Sequence, residues 1–542
     1  MRQVFIYVIL ILWGCQLPAQ EVFHVFPKTD PSTPGSASGD GSLDRPWDLQ
    51  TALTQNTDVV NSGDTIWLHE GVYNGRYLST LQSTRANEFI TVSAFKNDKV
   101  TLNGNVDSPR NVVLDVRSKQ VIFKNFEITF LGSYSRNEKD SKFKACTGVQ
   151  HLNGEHSRFL NLIIHDIPGL GFGSWKDAGG SIIENCIIFN NGYLGKNGKG
   201  LGEGIYVQNK TDLTKLIKNN IIFGNYYKGI EVWSAGKRAT FEFVKHITVQ
   251  DNILFNNGLS SGFHRDNIIV GTADRNGINI ARDIKILNNV MYHNANFTTK
   301  ELAREAPSLT LGFNKNAPIE NVTVSDNIIL GRSNTLRILH AKSLTFSNNT
   351  VFTGYVHLGL QTLDYAHDWN FNHNHYFVNY PRPPYRIIGD KDHEFESWTS
   401  TFNIDQNSTS SPITSFDLNP VLALHPYRDH PNKFNVALFD KEGDMVTVDF
   451  SGTHLKPGHA FTIYDVENPR DILVSGKLPA NYKVAIPMAL TAYAEPKFSP
   501  KAKKTLSNFG VFVVEFDDEA PKEIPSQKQR NLLKRFFSWF RF

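Results

Sequence analysis

The strongest constraint on the fold is a short phrase built around asparagine that recurs through the middle of the chain. Of the 50 Asn residues in the 542-residue chain, 36 fall between residues 101 and 380. In each phrase an Asn usually follows a polar residue and precedes an apolar run. The phrase occurs at Asn125, Asn161, Asn185, Asn220, Asn252, Asn289, Asn327, Asn349 and Asn374. This regularity indicates a repeated structural unit, which has to be recognised before any single strand is assigned.

A coil of three short strands accounts for the spacing of these phrases. The shorter spacings, 22 to 25 residues, suit one turn of such a coil, and the longer ones suit the same turn with a loop inserted. Apolar runs such as Ile182-Ile183 and Ile187-Ile188 supply inward side chains, and a coil buries them only by stacking on the next coil. Asn suits the corner because it tolerates left-handed backbone geometry and its amide can bond to the next coil. We therefore predict an all-β protein whose main domain, residues 21–380, is a parallel β-helix (a solenoid).

The N-terminal stretch is expected to begin this stack. Residues 44–53 have the pattern of a short amphipathic helix, with Pro46 near its first turn, that would cap the open end of the coil. Residues 63–74, Gly-Asp-Thr-Ile-Trp-Leu-His-Glu-Gly-Val-Tyr-Asn, follow as a strand and turn. Together with Pro46-Trp47, this opening resembles that of secreted right-handed parallel β-helix proteins of the pectate-lyase-like superfamily. The resemblance implies a right-handed coil but no particular substrate, since the superfamily contains lyases, glycoside hydrolases and non-catalytic proteins.

The repeat breaks down after residue 380. The Pro-rich residues 380–385 and the Ser/Thr run 407–411 predict a linker over 381–420. Segments 434–439, 445–450, 460–464 and 509–514 then read as strands separated by Gly and Pro turns. We predict a small antiparallel, sandwich-like β-domain over 421–518. It resembles the C-terminal accessory domains of secreted bacterial carbohydrate-active proteins.

The two ends of the chain carry their own signals. Arg2 precedes the apolar run 4–13, and Leu-Pro-Ala-Gln at 17–20 suits a cleavage site, so residues 1–20 read as a signal peptide. An alternative is a lipoprotein anchor at Cys15, although Trp13 fits that motif poorly. We expect a secreted, periplasmic or cell-surface protein. Within the basic, aromatic tail 519–542, residues 528–542 have helical periodicity, which predicts either contact with a membrane surface or docking onto the protein itself.

Three segments that align on a leading glycine predict a groove along the outside of the coil. They are residues 171–175 (Gly-Phe-Gly-Ser-Trp), 204–208 (Gly-Ile-Tyr-Val-Gln) and 229–233 (Gly-Ile-Glu-Val-Trp). Strand alternation turns Phe172, Ile205 and Ile230 inward and places Gly173, Tyr206 and Glu231 in one outward column, with Trp175, Gln208 and Trp233 in the next. Tryptophan faces beside amides and carboxylates suit sugar rings, which have an apolar face and hydroxyl groups. The predicted substrate-binding residues are Trp175, Lys176, Gln208, Asn209 and Trp233.

Titratable groups surround these columns. The predicted catalytic residues are Glu231, Glu203, Asp166, His165 and Tyr206. Hydrolysis of a glycosidic bond needs two carboxyl groups ~5 to 9.5 Å apart, and neighbouring coils are ~4.8 Å apart. Glu203 with Glu231, or Asp166 with Glu231, would therefore suit. Elimination from a uronic acid needs a base and a group that neutralises the substrate carboxylate, for which the candidate residues are Lys176, Lys237, Arg238, Arg265, His246 and Tyr206. The sequence alone does not decide between hydrolysis and elimination.

One phrase can be compared with relatives directly. Residues 201–209, Leu-Gly-Glu-Gly-Ile-Tyr-Val-Gln-Asn, resemble the Gly-His-Gly-Ile-Tyr-x-Gln-Asn phrase of a subset of the β-helix family. Glu203 stands where those relatives carry His, so an activity that depends on that His would be lost or changed here. The calcium-binding aspartate and arginine pattern of pectate lyases is missing. We therefore predict no cofactor or metal; calcium stays possible without a motif, and His373-x-His375 reads as a zinc site or a polar turn.

Composition narrows the choice of function only a little. Three Cys exclude a disulfide framework, and a net charge of +3 neither favours nor excludes an acidic partner. The sequence has no phosphate loop or dinucleotide fingerprint. We expect a monomer that binds a polysaccharide and no nucleic acid. The leading hypothesis is an extracellular β-helix enzyme that cleaves glycosidic bonds; the alternative is a non-catalytic glycan-binding or surface-adhesion protein.

Overall fold

Short strands succeed one another around three long parallel sheets, which we call A, B and C in the order in which each coil visits them. The computed structural model describes residues 20–295, 306–379, 382–499 and 502–517. The predicted signal peptide (apart from residue 20), the alternative anchor Cys15 and the tail 519–542 lie outside these residues. Within these ranges, no helix combines the length and apolar character needed to cross a membrane.

Each sheet adds one strand per coil along the stack. Sheet A contains Val22–Val25, Thr65–Leu68, Ile90–Ala94, Val121–Lys124, Arg158–Leu160, Ile182–Glu184, Lys215–Lys218, Lys245–Gln250, Arg282–Leu287, Glu320–Ser325, Leu344–Ser347 and Trp369–Asn372. Sheet B contains Gly71–Asn74, Val100–Asn103, Glu127–Thr129, Ile163–His165, Ile187–Phe189, Ile221–Phe223, Ile253–Phe255, Val290–Tyr292, Ile328–Leu330, Thr350–Phe352, His375–Val378 and Thr409–Pro412. Sheet C contains Tyr77–Ser79, Val112–Val116, Thr147–Asn153, Phe172–Asp177, Ile205–Val207, Ile230–Ser234, Ile268–Thr272, Leu309–Leu311, Leu336–Ile338, Val356–Gly359 and Tyr385–Ile388.

Inward side chains of all three sheets form one continuous apolar core along the coil. Equivalent residues stack between coils, as Phe123 does on Phe159 with ring centroids 5.5 Å apart. Each coil therefore buries its apolar face against its neighbours, as expected for a solenoid. Crossovers between parallel strands are right-handed. The predicted fold, a right-handed parallel β-helix, is confirmed.

The asparagine repeat consists of two adjacent columns rather than the single register that we predicted. The strand pairing aligns Asn161, Asn185 and Asn219 at one corner position, where the backbone is left-handed (φ 51° to 58°). The next residue points inward, and there Asn220 begins a buried ladder in which each Asn side chain accepts hydrogen bonds from the coil before it. Its members are Asn220, Asn252, Asn289, Asn327, Asn349 and Asn374. Both positions favour Asn, one for its backbone and one for its amide, so the sequence alone did not separate them.

Both ends of the stack are covered. The α-helix Leu49–Leu53 is capped by Asp48, whose carboxylate accepts a hydrogen bond from Thr51 N at 3.0 Å, and it buries Leu49, Ala52 and Leu53 in the core. At the other end, the α-helix Phe395–Phe402 buries Trp398, which stacks on Tyr385 at 5.0 Å. Three 3₁₀ segments complete the helical elements of the described residues: Leu259–Ser261, Leu360–Asp368 and Ile413–Ser415.

The coil extends beyond its predicted end. Strands Tyr385–Ile388 and Thr409–Pro412 pair with sheets C and B inside the segment that we predicted as a linker, 381–420. The linker prediction is therefore wrong where these two strands lie. Proline is tolerated here because these are the last strands of the stack, and an edge strand needs no further ladder hydrogen bond.

The antiparallel C-terminal β-domain is present as predicted. A five-stranded sheet has the order Val421–Pro426, Lys433–Phe439, Phe509–Phe516, Ala460–Asp465 and Val474–Lys477. A second, two-stranded sheet pairs Met445–Asp449 with Lys483–Pro487 and shares a core with one face of the first. The other face packs on the outside of sheet B, where Tyr292 stacks on Phe509 with ring centroids 4.1 Å apart.

Candidate active site on sheet C

Strand register places a polar column on the outer face of sheet C. Gly173 pairs with Tyr206 and Tyr206 with Glu231 on three successive coils. The neighbouring residues Phe172, Ile205 and Ile230 are fully buried in the core. The alternation that the sequence suggested is therefore the one the strands adopt. The column continues through Ile269 and Thr310 to Arg337.

A second column lies beside it, at the corner that leads from sheet B into sheet C. Its members Glu203, Lys228 and Asp266 each come two residues before the strand begins. Their carbonyl oxygens accept hydrogen bonds from the coil before, for example Gly204 N to Lys228 O at 3.0 Å and Gly229 N to Asp266 O at 3.0 Å. Acidic and basic groups thus alternate along three successive coils.

Ion pairs tie the two columns together. Lys228 Nζ lies 2.5 Å from Glu231 Oε1, and Glu231 is only 3% exposed. One coil further, Arg337 binds the buried Asp266 at 2.9 Å, and the hydroxyl of Thr310 donates to the same carboxylate. Buried charges are retained only with such partners. Of the acidic groups in these columns, Glu203 alone forms no ion pair or side-chain hydrogen bond with the described residues, so its carboxyl group is the one left for a ligand.

Electrostatic effects give Glu203 and Glu231 different protonation states. Burial, followed by the negative charge of Glu231, raises the pKa of Glu203 to about 8. Burial raises the pKa of Glu231 overall, although the ammonium group of Lys228 opposes the rise and, at 2.5 Å, pairs with its carboxylate. Burial alone would lower the pKa of Lys228, but the carboxylates of Glu231 and Asp266 outweigh it and the net shift is upward. At neutral pH the arrangement therefore favours a neutral Glu203 acid beside an ionised Glu231–Lys228 pair.

The backbone around Glu203 leaves little freedom. Gly202 has φ +97°, and a Cβ there would lie 2.4 Å from the Cα of Gly192. A Cβ on Gly204 would lie 2.7 Å from the carbonyl oxygen of Gly229. Glycine is needed on both sides of Glu203 because the chain is packed this closely. The hairpin of strands Tyr193–Leu194 and Gly200–Leu201 leads into this segment.

The phenol of Tyr206, a predicted catalytic group, is held in its protonated form. Burial raises the pKa of Tyr206 to about 12. Its hydroxyl oxygen accepts hydrogen bonds from Ala235 N and Gln208 Nε2, both at 3.3 Å. The phenol is therefore protonated at neutral pH and is a poor candidate for a base.

The aromatic face of the site differs from the one we predicted. Trp175 is half-buried, with its ring 5.4 Å from that of Tyr206, and its indole Nε1 has no hydrogen-bond partner. Trp233 is only 8% exposed and is covered edge-on by Phe313, with ring centroids 4.8 Å apart. The expectation of two open tryptophan faces is wrong for Trp233. Phe313, which is 50% exposed, provides the open ring at that position instead.

A β-bulge positions Trp175. His151 pairs with Ser174 and Asn153 with Asp177, so two residues of one strand, Trp175 and Lys176, face one residue of the other. The buried amine of Lys215 donates to Trp175 O at 2.6 Å and to Ser174 Oγ at 2.8 Å from inside the coil. Burial lowers the pKa of Lys215 well below its ordinary value. Bulges of this kind re-aim side chains next to active sites.

The remaining predicted binding residues divide into two groups. Lys176 is half-buried and forms an ion pair with Asp177 at the edge of the groove. Gln208 is buried and donates to Trp233 O at 3.2 Å. Asn209 is fully buried, and its amide donates to Leu213 O and Lys245 O, which holds the next corner of the coil. Contact between Asn209 and a substrate is therefore ruled out by its location.

His165 and Asp166 lie on and just after a strand of sheet B, not in the sheet C columns. His165 bridges the carboxylates of Glu127 (2.8 Å) and Asp166 (2.9 Å), and Arg136 binds Asp166 at 3.1 Å. The C-terminal domain covers the group, since Lys497 N donates to Asp166 Oδ1 at 3.0 Å. The predicted pairing of Asp166 with Glu231 is therefore wrong. Sequence order had placed these residues near the groove, but the side chains turn away before sheet C begins.

Several participants escaped the sequence analysis. Four residues were not proposed: Lys228, which binds Glu231, and Asp266, Thr310 and Arg337, which bind one another one coil further. A signal for Lys228 was present, because it precedes Gly229 as Glu203 precedes Gly204. Asp266 and Arg337 lie on coils where that glycine is replaced, so no pattern marked them. In the part of the chain that the structure describes, no group of three or more His, Cys, Asp or Glu is arranged to hold a metal ion.

Comparison with protein families supports the coil. Residues 111–246 match the family model described as the right handed beta helix region. A search of curated proteins finds no match. Among solved structures, the chain is similar to pectate lyase Pel9A (15% identity, 69% of this chain and 80% of that one, TM-score 0.41). It is also similar to an alginate lyase from Paenibacillus sp. (17%, 72% and 99%, 0.37) and to XylC, solved with xylose (12%, 79% and 91%, 0.42). At these values the likeness carries no inference about substrate or reaction.

Proposed function

We propose that this right-handed parallel β-helix binds a polysaccharide along the outer face of sheet C and hydrolyses its glycosidic bonds. The observation that carries the proposal is the pair Glu203 and Glu231 on adjacent coils, with Glu203 flanked by two obligatory glycines. The two residues belong to different columns, so their backbones are offset by more than the ~4.8 Å step between adjacent coils. The charge of Glu231 nevertheless acts on Glu203, as it does between the two carboxyl groups of glycosidases, which lie ~5 to 9.5 Å apart. A protein that only binds glycans has no need for two carboxyl groups held this close against their mutual repulsion.

The two glutamates take different roles. Burial and the negative charge of Glu231 raise the pKa of Glu203, so Glu203 keeps its proton at neutral pH. The ion pair with Lys228 keeps Glu231 as the ionised partner. Glu203 therefore donates the proton to the leaving oxygen, and the charge of Glu231 stabilises the positive charge that develops at the anomeric carbon.

Hydrolysis fits these contacts better than elimination does. Elimination needs a cation that neutralises the carboxylate of the sugar and a base that removes a proton from it. Lys228 and Arg337 are already bound to Glu231 and Asp266, and Tyr206 holds its proton too tightly to act as the base. Lys237 and Arg238 are exposed in the loop that follows sheet C, and His246 lies on sheet A.

Aromatic rings supply the surface on which sugars stack. Trp175 and Phe313 lie at the two ends of the column that leads past Trp233. Four coil steps of ~4.8 Å separate the coils of these two residues, a span of ~19 Å that suits a chain of several sugar units rather than one. The indole N–H of Trp175 is itself buried without a partner, so the contact proposed for Trp175 is stacking of a sugar on its ring.

Product analysis tests the proposal. The purified full chain is incubated with a panel of neutral and uronic polysaccharides. We expect new reducing ends without the ultraviolet absorbance of an unsaturated sugar. A rise in that absorbance would replace hydrolysis by elimination. Binding without any product, measured on the same panel, would support the non-catalytic adhesion protein instead. Export follows from the signal peptide as a further proposal, which N-terminal sequencing of the expressed protein tests.

A further inference from the structure

A crevice separates part of sheet B from the C-terminal domain, well away from sheet C. The two parts pack tightly from Phe223 onwards, where aromatic rings of sheet B meet the domain. Towards the N-terminal coils the contact opens into a cavity of about 100 Å³. Its floor is formed by the outward side chains Ile163, Ile187 and Phe189 of sheet B.

One wall of the crevice is the corner column of asparagines. Asn161 donates to Asn125 Oδ1 at 2.9 Å, and Asn219 donates to Asn185 Oδ1 at 2.8 Å. Between Asn161 and Asn185 the series is interrupted, and Asn161 Oδ1 is buried without a hydrogen-bond partner. A buried amide oxygen left in this way costs ~1 to 3 kcal/mol. A bound hydroxyl group would recover that cost.

The opposite wall belongs to the C-terminal domain. It contributes the ring of Tyr427 and the side chains of His430 and Lys433, while Lys96 from the coil lines the same cavity. Glu515 lies opposite Lys433 on the neighbouring strand, so the crevice is not strongly positive. An apolar floor, an unpaired acceptor and basic donors at the edge match a ring that has one apolar face and a rim of hydroxyl groups.

We infer that this crevice is a second carbohydrate site, which takes a single sugar unit at the end of a glycan chain. A water needs roughly 10 to 15 Å³ of such a cavity, so its volume holds several waters or one ring, but no continuous chain. The site would hold the protein on its polymer while sheet C acts elsewhere. This inference rests on the proposed function in one respect, that the protein binds a polysaccharide. It does not require Glu203 or cleavage of the polysaccharide.

Sugar binding by the full chain tests the inference. Saturation-transfer NMR is recorded with glucose, galactose, mannose, xylose, glucuronate and galacturonate, using the Glu203→Gln variant so that nothing is cleaved. Asn161→Gly removes the amide but keeps a backbone that tolerates φ 55°. We expect at least one sugar to bind and Asn161→Gly to weaken it about tenfold, as loss of one hydrogen bond implies.

Two further variants make the result decisive. Asn348→Gly, at the same corner position with φ 56° but outside the crevice, should leave the binding unchanged. Trp175→Ala, on sheet C, should remove only the binding that the groove contributes and should leave the part that Asn161→Gly weakens. The inference is overturned if no sugar binds, if Asn348→Gly weakens binding as much as Asn161→Gly, or if inorganic phosphate displaces the sugar. If Trp175→Ala abolishes binding and Asn161→Gly does not, the sugar binds in the groove on sheet C and not in the crevice.

Discussion

Among single residues, the proposed reaction depends most on the proton of Glu203. Because the pKa of Glu203 is raised to about 8, the acid form is present at neutral pH and the cleavage rate should fall as the pH rises through that value. Glu231 has to be ionised, so the rate should also fall on the acidic side. Glu203→Gln should lower kcat by about 10² to 10⁴-fold with little change in glycan affinity. Glu88→Gln, on a distant turn, is the matched control and should keep the wild-type profile.

Two neighbouring asparagines test the corner of the coil residue by residue. Asn289 accepts from Asn252 and donates to Val249 O and Asn327 Oδ1 inside the coil, whereas Asn288 occupies the left-handed position next to it (φ 52°). Asn289→Leu should lower the free energy of unfolding by ~2 to 5 kcal/mol, because it leaves buried donors unpaired. Asn288→Gly should cost under ~1 kcal/mol, since glycine accepts that backbone. Urea unfolding measures both, and equal losses would contradict the two-column assignment.

Among the structural elements, the bulge at Trp175 makes Lys215 a positioning residue. Lys215→Met keeps the volume but removes the donor that holds Trp175 O. Without that hydrogen bond the strand that carries Trp175 should be held less firmly, so we expect the fluorescence of Trp175 to shift. The KM should rise several-fold, and kcat should stay nearly unchanged. The same substitution in a Trp175→Phe background should add no further change in KM. A fall in kcat with an unchanged KM would show that Lys215 acts on the chemistry instead.

The docking of the C-terminal domain should depend on pH through His165. Burial works against a charged ring, but hydrogen bonds to Asp166 and Glu127 raise the pKa of His165 overall. Its contribution to stability is therefore complete below the ordinary value of 6.5 and is lost as the pH rises through the raised value. Asp166 has a lowered pKa, so its contribution is lost only in acid. The melting temperature should fall between pH 6 and pH 9, by on the order of one or two degrees more in the wild type than in His165→Gln. The exposed His367→Gln should behave as the wild type, and identical slopes in all three would remove His165 from the docking.

Across the full chain, the structural features that repeat from coil to coil could be predicted from the sequence, and the contacts that occur on single coils could not. The coil and its outward columns could be predicted because every coil repeats the same spacing and strand alternation. The C-terminal domain could be predicted from strand alternation between Gly and Pro turns. Most of the charged groups around Glu231 could not be found in this way, although the glycine after Lys228 marked that residue. Lys228, Asp266 and Arg337 come from three different coils, and only the register brings their charges together. His165 and Asp166 show the converse, since their place in the sequence suggested the groove while the turn carried them under the C-terminal domain.

In the proposed reaction, water replaces the glycosidic oxygen and Glu203 is required. Cleavage of a polysaccharide in ¹⁸O-labelled water, with rapid quenching and mass spectrometry of the fragments, measures both points together. We predict one heavy oxygen at each new reducing end with the wild-type protein and no fragments above background with Glu203→Gln. Unlabelled fragments that carry an unsaturated sugar, or labelled fragments made equally well by Glu203→Gln, would refute the proposed hydrolysis.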